Sequence, residues 1–125
     1  MEKTIKVGDY EFRAKSTAAS FLTYKREFGK DAMADLLKFA GSASKVDTSD
    51  ENALMSAMSE GNFDFEIFLR FVWVFAKSAD KDIKPFEAWL DGFDIPVIDF
   101  IMAILPEMQE LLFAQLKTSV APKKN

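Results

Sequence analysis

The sequence predicts an α+β fold, mainly α, in which an N-terminal two-stranded β-hairpin packs on a compact bundle of about five to six helices. Three observations carry this. Apolar and polar residues alternate on both sides of a Gly8, Asp9 turn signal. Further on, apolar residues recur at i, i+3, i+4 spacing in segments punctuated by Gly29, Gly41, Gly61 and Gly92. Thirteen of the 125 residues are phenylalanine and 49% are hydrophobic, which supplies a core for one domain. That domain is expected over residues 1–119, with the hairpin at 4–14, the helical part at 17–119, a flexible linker at 41–48 and a disordered tail at 120–125.

In the hairpin, pairing Val7 with Tyr10 across the two-residue turn sets the register. Ile5 then faces Phe12 on the apolar side and Lys6 faces Glu11 on the other, each cross-strand pair stabilising by roughly 0.2–1 kcal/mol. Two strands alone are marginal, so helices must cover them. The first helix follows from Ala18, Phe21, Leu22, Tyr24 and Phe28, with Ser16 or Thr17 placed to cap it and Gly29 to end it. Asp31 caps a second helix whose Met33, Leu36, Leu37 and Ala40 share one face before Gly41 stops it. After the small, polar linker, Thr48 and Glu51 have capping-box spacing ahead of Leu54, Met55 and Met58, which predicts a short helix ending near Gly61.

The next helix, over residues 64–77, is the most apolar. Ten of the twelve residues from 65 to 76 are apolar, and only Glu66, Arg70 and Lys77 share a polar sector. A single packing neighbour needs an apolar stripe a little over ~100° wide. This helix therefore either sits at the centre of the domain or turns a second face to a partner. A charged loop over residues 78–84 leads to Pro85, which suits the first turn of a short helix carrying Phe86, Trp89 and Leu90 and ending at Gly92. Asp94 is placed to cap a final helix that begins near Pro96 and aligns Ile98, Ile101, Leu105, Met108, Leu112 and Leu116 on one face. Pro106 removes a backbone hydrogen bond inside it, and a kinked but continuous helix is expected because the proline falls on the polar side.

Several kinds of chemistry lose their usual residues. The chain has no cysteine and no histidine, so the common triads, zinc sites and haem ligands lack their ordinary side chains, and no glycine-rich phosphate loop is present. Asp80, Asp82 and Asp91 stand at positions 1, 3 and 12 of a calcium-loop pattern, but Pro85 occupies the sixth position, which needs glycine. No catalytic residue, cofactor or metal is expected. A formal charge of −4 and a pI near 4.9 argue against a nucleic-acid partner, and no apolar run is long enough for a membrane span. An enzyme is the least favoured class; binding is the favoured one.

The stretch VGDYEFRAKSTAASFLTYKREFGKD, from Val7 to Asp31, resembles the tail assembly chaperones of long-tailed phages and prophages of Gram-positive bacteria. The shared pattern is a short hairpin with a glycine turn, then Ser16, Thr17 and Ala18 opening a helix that runs through Tyr24, Lys25 and Phe28 to Gly29, Lys30 and Asp31. A Phe- and Trp-rich middle helix, an acidic loop and an apolar C-terminal helix are similar too. The resemblance implies a homo-oligomeric chaperone of the host cytoplasm that binds the tape measure protein. It would keep that partner soluble until tail tube polymerisation, and it would not be retained in the mature virion. It also implies a longer form made by ribosomal frameshifting that recruits the tail tube protein. For such a holdase the groove expected is the outer face of the middle helix, Phe68, Phe71 and Phe75, together with Ile101, Leu105, Met108 and Leu112 of the last helix. The alternative in another class is a structural head-tail connector or tail completion protein that stays in the particle; a prophage-encoded regulatory binding protein comes third.

Overall fold

The structure is a computed structural model that describes residues 1–43 and 50–117. Strands β1 (Glu2–Val7) and β2 (Tyr10–Lys15) form an antiparallel hairpin, followed by six helices: α1 (Ala18–Phe28), α2 (Ala32–Ala43), α3 (Glu51–Ser59), α4 (Phe65–Ala79), α5 (Phe86–Asp91) and α6 (Val97–Phe113). The fold is α+β and mainly α, as expected. The hairpin register pairs Val7 with Tyr10, Lys6 with Glu11 and Ile5 with Phe12, and Gly8 takes the positive φ of 59° that its turn requires. Ile5, Val7 and Ala14 are buried, because α4 packs beneath β2 and α6 beneath β1. The sheet thus closes one side of the bundle.

Local signals explain most helix ends. Thr17 and Ser20 form a capping box at the start of α1, and Gly29 ends it in the left-handed region at φ 68°. Asp31 Oδ1 accepts from the Ala34 N–H at 3.1 Å, and Asp64 Oδ1 from the Ile67 N–H at 3.0 Å, opening α2 and α4. Two boundaries and one cap differ from expectation. Helix α2 does not stop at Gly41 but runs on to Ala43, since Gly41 keeps a negative φ and no left-handed cap forms there. Asp50, not Thr48, caps α3 by accepting from Asn52 and Ala53; Thr48 lies outside the described residues, as do the rest of the linker over 44–48 and the tail over 120–125. Pro96 rather than Asp94 occupies the N-cap position of α6, and the Asp94 N–H is donated instead to the Tyr10 hydroxyl at 3.1 Å. Helix α6 remains one continuous element with Pro106 inside it.

Helix α4 is the centre of the molecule: Ile67, Phe68, Phe71, Val72, Trp73, Val74, Phe75 and Ala76 are all buried. Aromatic side chains carry the packing around it. Tyr24 of α1 stacks on Phe71 at 4.5 Å, Phe39 of α2 lies parallel to Phe68 at 6.2 Å, and Phe28 meets the Trp73 ring edge-on at 5.9 Å. Two polar ties fix helix positions within this apolar setting. The Tyr24 hydroxyl donates to Asp35 Oδ2 at 2.6 Å, and that carboxylate also lies 3.8 Å from Arg70, which pairs with Glu66 as well. Burial, reinforced by the hydrogen bond to Asp35, pushes the Tyr24 phenol well above its usual range. The buried Ser20 shares a 2.8 Å hydrogen bond with Ser78, tying α1 to the end of α4.

Candidate docking surface

The structure moves the expected groove into the core. Phe68, Phe71 and Phe75 of α4 and Ile101, Leu105, Met108 and Leu112 of α6 are all 0% exposed. The sequence pattern assigned each of them correctly to an apolar helix face. It did not reveal that this chain's own elements occupy both sides of α4: α1 and α2 on one hand, the hairpin and α5 on the other. The wide apolar arc of α4 is the signature of a central helix, and no partner reaches these seven side chains in this conformation.

What does reach the surface is a different set. Phe65 and Leu69 on the first turns of α4, Leu90 at the end of α5, Phe93 and Ile95 in the following connection, and Val97 and Phe100 at the start of α6 line an open groove of about 210 Å³. All seven lining side chains are apolar. Val97 is 49% exposed, whereas Phe100 is buried at the groove floor, so the site grades from core to solvent. Phe93 is its hub, with its ring 4.9 Å from Trp89, 5.2 Å from Tyr10 and 5.3 Å from Phe100. These ring contacts, with the Tyr10 to Asp94 hydrogen bond, hold the irregular α5–α6 connection against the hairpin, so the groove is preformed.

The charges on the α5–α6 side of the groove have one sign. Asp91, Asp94 and Asp99 alternate in sequence with the lining residues, all three are exposed, and none makes an ion pair among the described residues. No lysine or arginine occurs between residues 85 and 116. That border is therefore acidic beside an apolar floor, a pairing that favours apolar segments flanked by Lys or Arg. A second apolar patch lies on the α1–α2 hairpin, where Leu22 is 73% exposed and Leu37 55%, with Met33 nearby at the mouth of a shallow depression shared with Phe21 and Lys25. Here the helical stripe expected in α2 is only half used: Leu36 is buried, and Met33 and Leu37 face out.

Among the described residues no group of three or more acidic side chains is arranged to hold a metal ion, and no helix is long and apolar enough to cross a membrane. Sequence reasoning missed the groove because its residues sit at a helix start, a helix end and a connection rich in Gly and Pro, where no periodic stripe forms. The available signal was the density of large apolar residues in that irregular stretch, Leu90, Phe93, Ile95 and Val97, interleaved with Asp91 and Asp94. Comparison of the chain with models of known families, with curated proteins and with solved structures finds no match.

Proposed function

We propose that this chain is a tail assembly chaperone that binds a tape measure protein and keeps it soluble until the tail tube polymerises, acting in the host cytoplasm without being retained in the virion. The resemblance of residues 7–31 to that family supplies the class of partner. The observation that carries the binding reading is the preformed groove of Phe65, Leu69, Leu90, Phe93, Ile95, Val97 and Phe100, apolar throughout and bordered on the α5–α6 side by carboxylates that make no ion pair among the described residues. A holdase needs such a surface together with enough net charge to stay dispersed when loaded, and the formal charge of −4 serves the second need. The segment taken up would be a helix presenting two or three large apolar side chains with Lys or Arg at its edges, laid in the groove by its apolar face.

The test is co-expression of the tape measure protein from the same gene cluster with wild-type chain and with the double variant Leu69→Lys, Val97→Lys. Val97 is half exposed and Leu69 partly buried against the core, so circular dichroism establishes that the variant is folded before its effect on the partner is read. The partner is expected to remain soluble with wild type and to precipitate with the variant. A folded variant that still keeps the partner soluble overturns the groove assignment, and a wild-type chain that leaves the partner insoluble overturns the function.

A further inference from the structure

The hairpin is a two-stranded sheet, and so both of its outer edges carry backbone groups without a strand partner. Which groups these are follows from the register. Val7 and Tyr10 close the two-residue turn as a hydrogen-bonded pair, and alternation along an antiparallel ladder makes Ile5–Phe12 and Lys3–Ala14 the next such pairs. The same phase continues past the strands, where the Ser16 N–H donates to Met1 C=O at 2.8 Å and the Met1 amino group to Ser16 C=O at 3.0 Å. The N–H and C=O groups of Glu2, Thr4 and Lys6 therefore point away from β2. Among the described residues none of them has a hydrogen-bond partner, and the three side chains are exposed.

We propose that β1 is a self-complementary edge that pairs antiparallel with β1 of a second copy of this chain about a two-fold axis at Thr4, joining two hairpins into a four-stranded sheet. In that register Thr4 faces Thr4 of the second copy, Glu2 faces its Lys6 and Lys6 faces its Glu2. Each facing pair exchanges two backbone hydrogen bonds, and each carries a favourable cross-strand side-chain combination. Sliding the register by two residues in either direction faces Thr4 with Lys6 or with Glu2 and loses both opposite-charge pairs, and sliding it by four centres the axis on Lys6 or Glu2 and sets like charges opposite each other. On the other edge, a two-fold at Arg13 opposes arginine to arginine. Lys3, whose side chain lies on the inner face, brings no unpaired charge, because its ammonium is already held by Glu107 and Glu110.

Pairing of β1 with the second copy's β2 also matches charges, but it is head-to-tail and leads to rings or filaments instead of a closed dimer. On that edge the Lys15 carbonyl is already engaged, accepting from Ser20 Oγ at 3.4 Å. The two arrangements respond oppositely to a charge swap, which makes the proposal sharp. It also stands independently of whether the apolar groove takes a tape measure segment.

The experiment is sedimentation equilibrium of the full chain over a concentration series at low salt, with circular dichroism confirming the fold of each variant. Wild type is expected to be a monomer–dimer equilibrium. Glu2→Lys alone and Lys6→Glu alone each place like charges at both ends of the pairing and weaken it by roughly tenfold or more. Mixing these two variants restores the dimer, because the side chain at position 2 of each copy then faces an opposite charge at position 6 of the other. The double swap Glu2→Lys, Lys6→Glu restores it too, although it opposes like charges in a β1-to-β2 contact and, with Lys15, Glu11 and Arg13, within its own hairpin; Glu11→Lys, Lys15→Glu, which carries the same facing-pair clash inside the hairpin but keeps the β1-to-β1 pairs, dimerises as wild type does. Thr4→Pro removes an outward N–H at an edge position where proline is tolerated, and it abolishes the dimer while the hairpin stays folded. A wild type that is monomeric throughout, single variants that dimerise as wild type does, or a double swap that stays monomeric each overturns the proposal.

Discussion

Replacing Phe71 by alanine separates a core role for α4 from a docking role more cleanly than any other single change. The side chain is 0% exposed, stacked on Tyr24 at 4.5 Å and in ring contact with Phe75 at 5.8 Å and Phe21 at 6.4 Å. Removing a buried phenylalanine costs about 3–5 kcal/mol through lost transfer energy and the cavity left behind, and Phe71 falls in the upper part of that range because three aromatic neighbours lose their partner together. Domains of this size have about 5–15 kcal/mol of stability, so the loss is a large share of the total. With a urea slope of about 2 kcal/mol per molar, a cost of about 4 kcal/mol moves the unfolding midpoint down by about 2 M. Val97→Ala, at a half-exposed groove position, changes stability by less than about 0.5 kcal/mol. The assay is urea denaturation followed by far-ultraviolet circular dichroism on both variants. A loss below about 1 kcal/mol for Phe71→Ala, accompanied by loss of partner binding, would place Phe71 on a recognition face and refute the core assignment.

Tyr24→Phe removes the hydroxyl donated to Asp35 and is expected to destabilise by about 2 kcal/mol, the range for a hydrogen bond to a charged acceptor. Burial, then the Asp35 hydrogen bond, raises the folded-state pKa of Tyr24, so its contribution is fully present below the ordinary tyrosine pKa of about 10 and is lost as pH rises beyond it. Urea midpoints measured at increasing alkaline pH should therefore fall more steeply for wild type than for Tyr24→Phe, and parallel curves would contradict the linkage. Gly29→Ala meets no atom within 4 Å of the added methyl, so its cost is the left-handed backbone alone, about 1 kcal/mol by the same denaturation assay. A neutral result there would mean that α1 ends without the left-handed turn.

The elements were legible wherever a side-chain period coincided with a cap. The hairpin register followed from one turn, Gly8 and Asp9, and α1 from Thr17 and Gly29, because these residues satisfy backbone groups locally and need no tertiary contact to do so. The local signal was not used at two positions, Asp94 and Gly41. Asp94 has the side chain of a cap, yet its own N–H is drawn to the Tyr10 hydroxyl of the hairpin, and Pro96 takes the N-cap position although α6 begins where the sequence placed it. Gly41 has the conformational freedom to end α2 but no partner arrangement that requires it to do so, and the helix continues.

The docking surface was illegible for a related reason. Periodicity reports which face of a helix avoids water, not which molecule covers it, and a helix buried on nearly all sides has the same pattern as one with a face to spare. Phe71 and Phe75 look identical on either reading; only the placement of α1, α2 and the hairpin around α4 decides. Those elements use up the aromatic excess of the helices, through contacts such as Tyr24 on Phe71 and Phe39 on Phe68, and leave a remainder where the chain is least regular. That remainder, Leu90, Phe93, Ile95 and Val97, could not be satisfied by helix packing, since Gly92 and Pro96 interrupt any helical face that would collect it. The same interruption keeps the segment from closing over itself, while Tyr10 and Phe100 grip Phe93 from either side and hold the opening in shape. An apolar surface held rigid in this way loses little side-chain freedom when a partner covers it, which favours binding over collapse as the way its exposure is relieved.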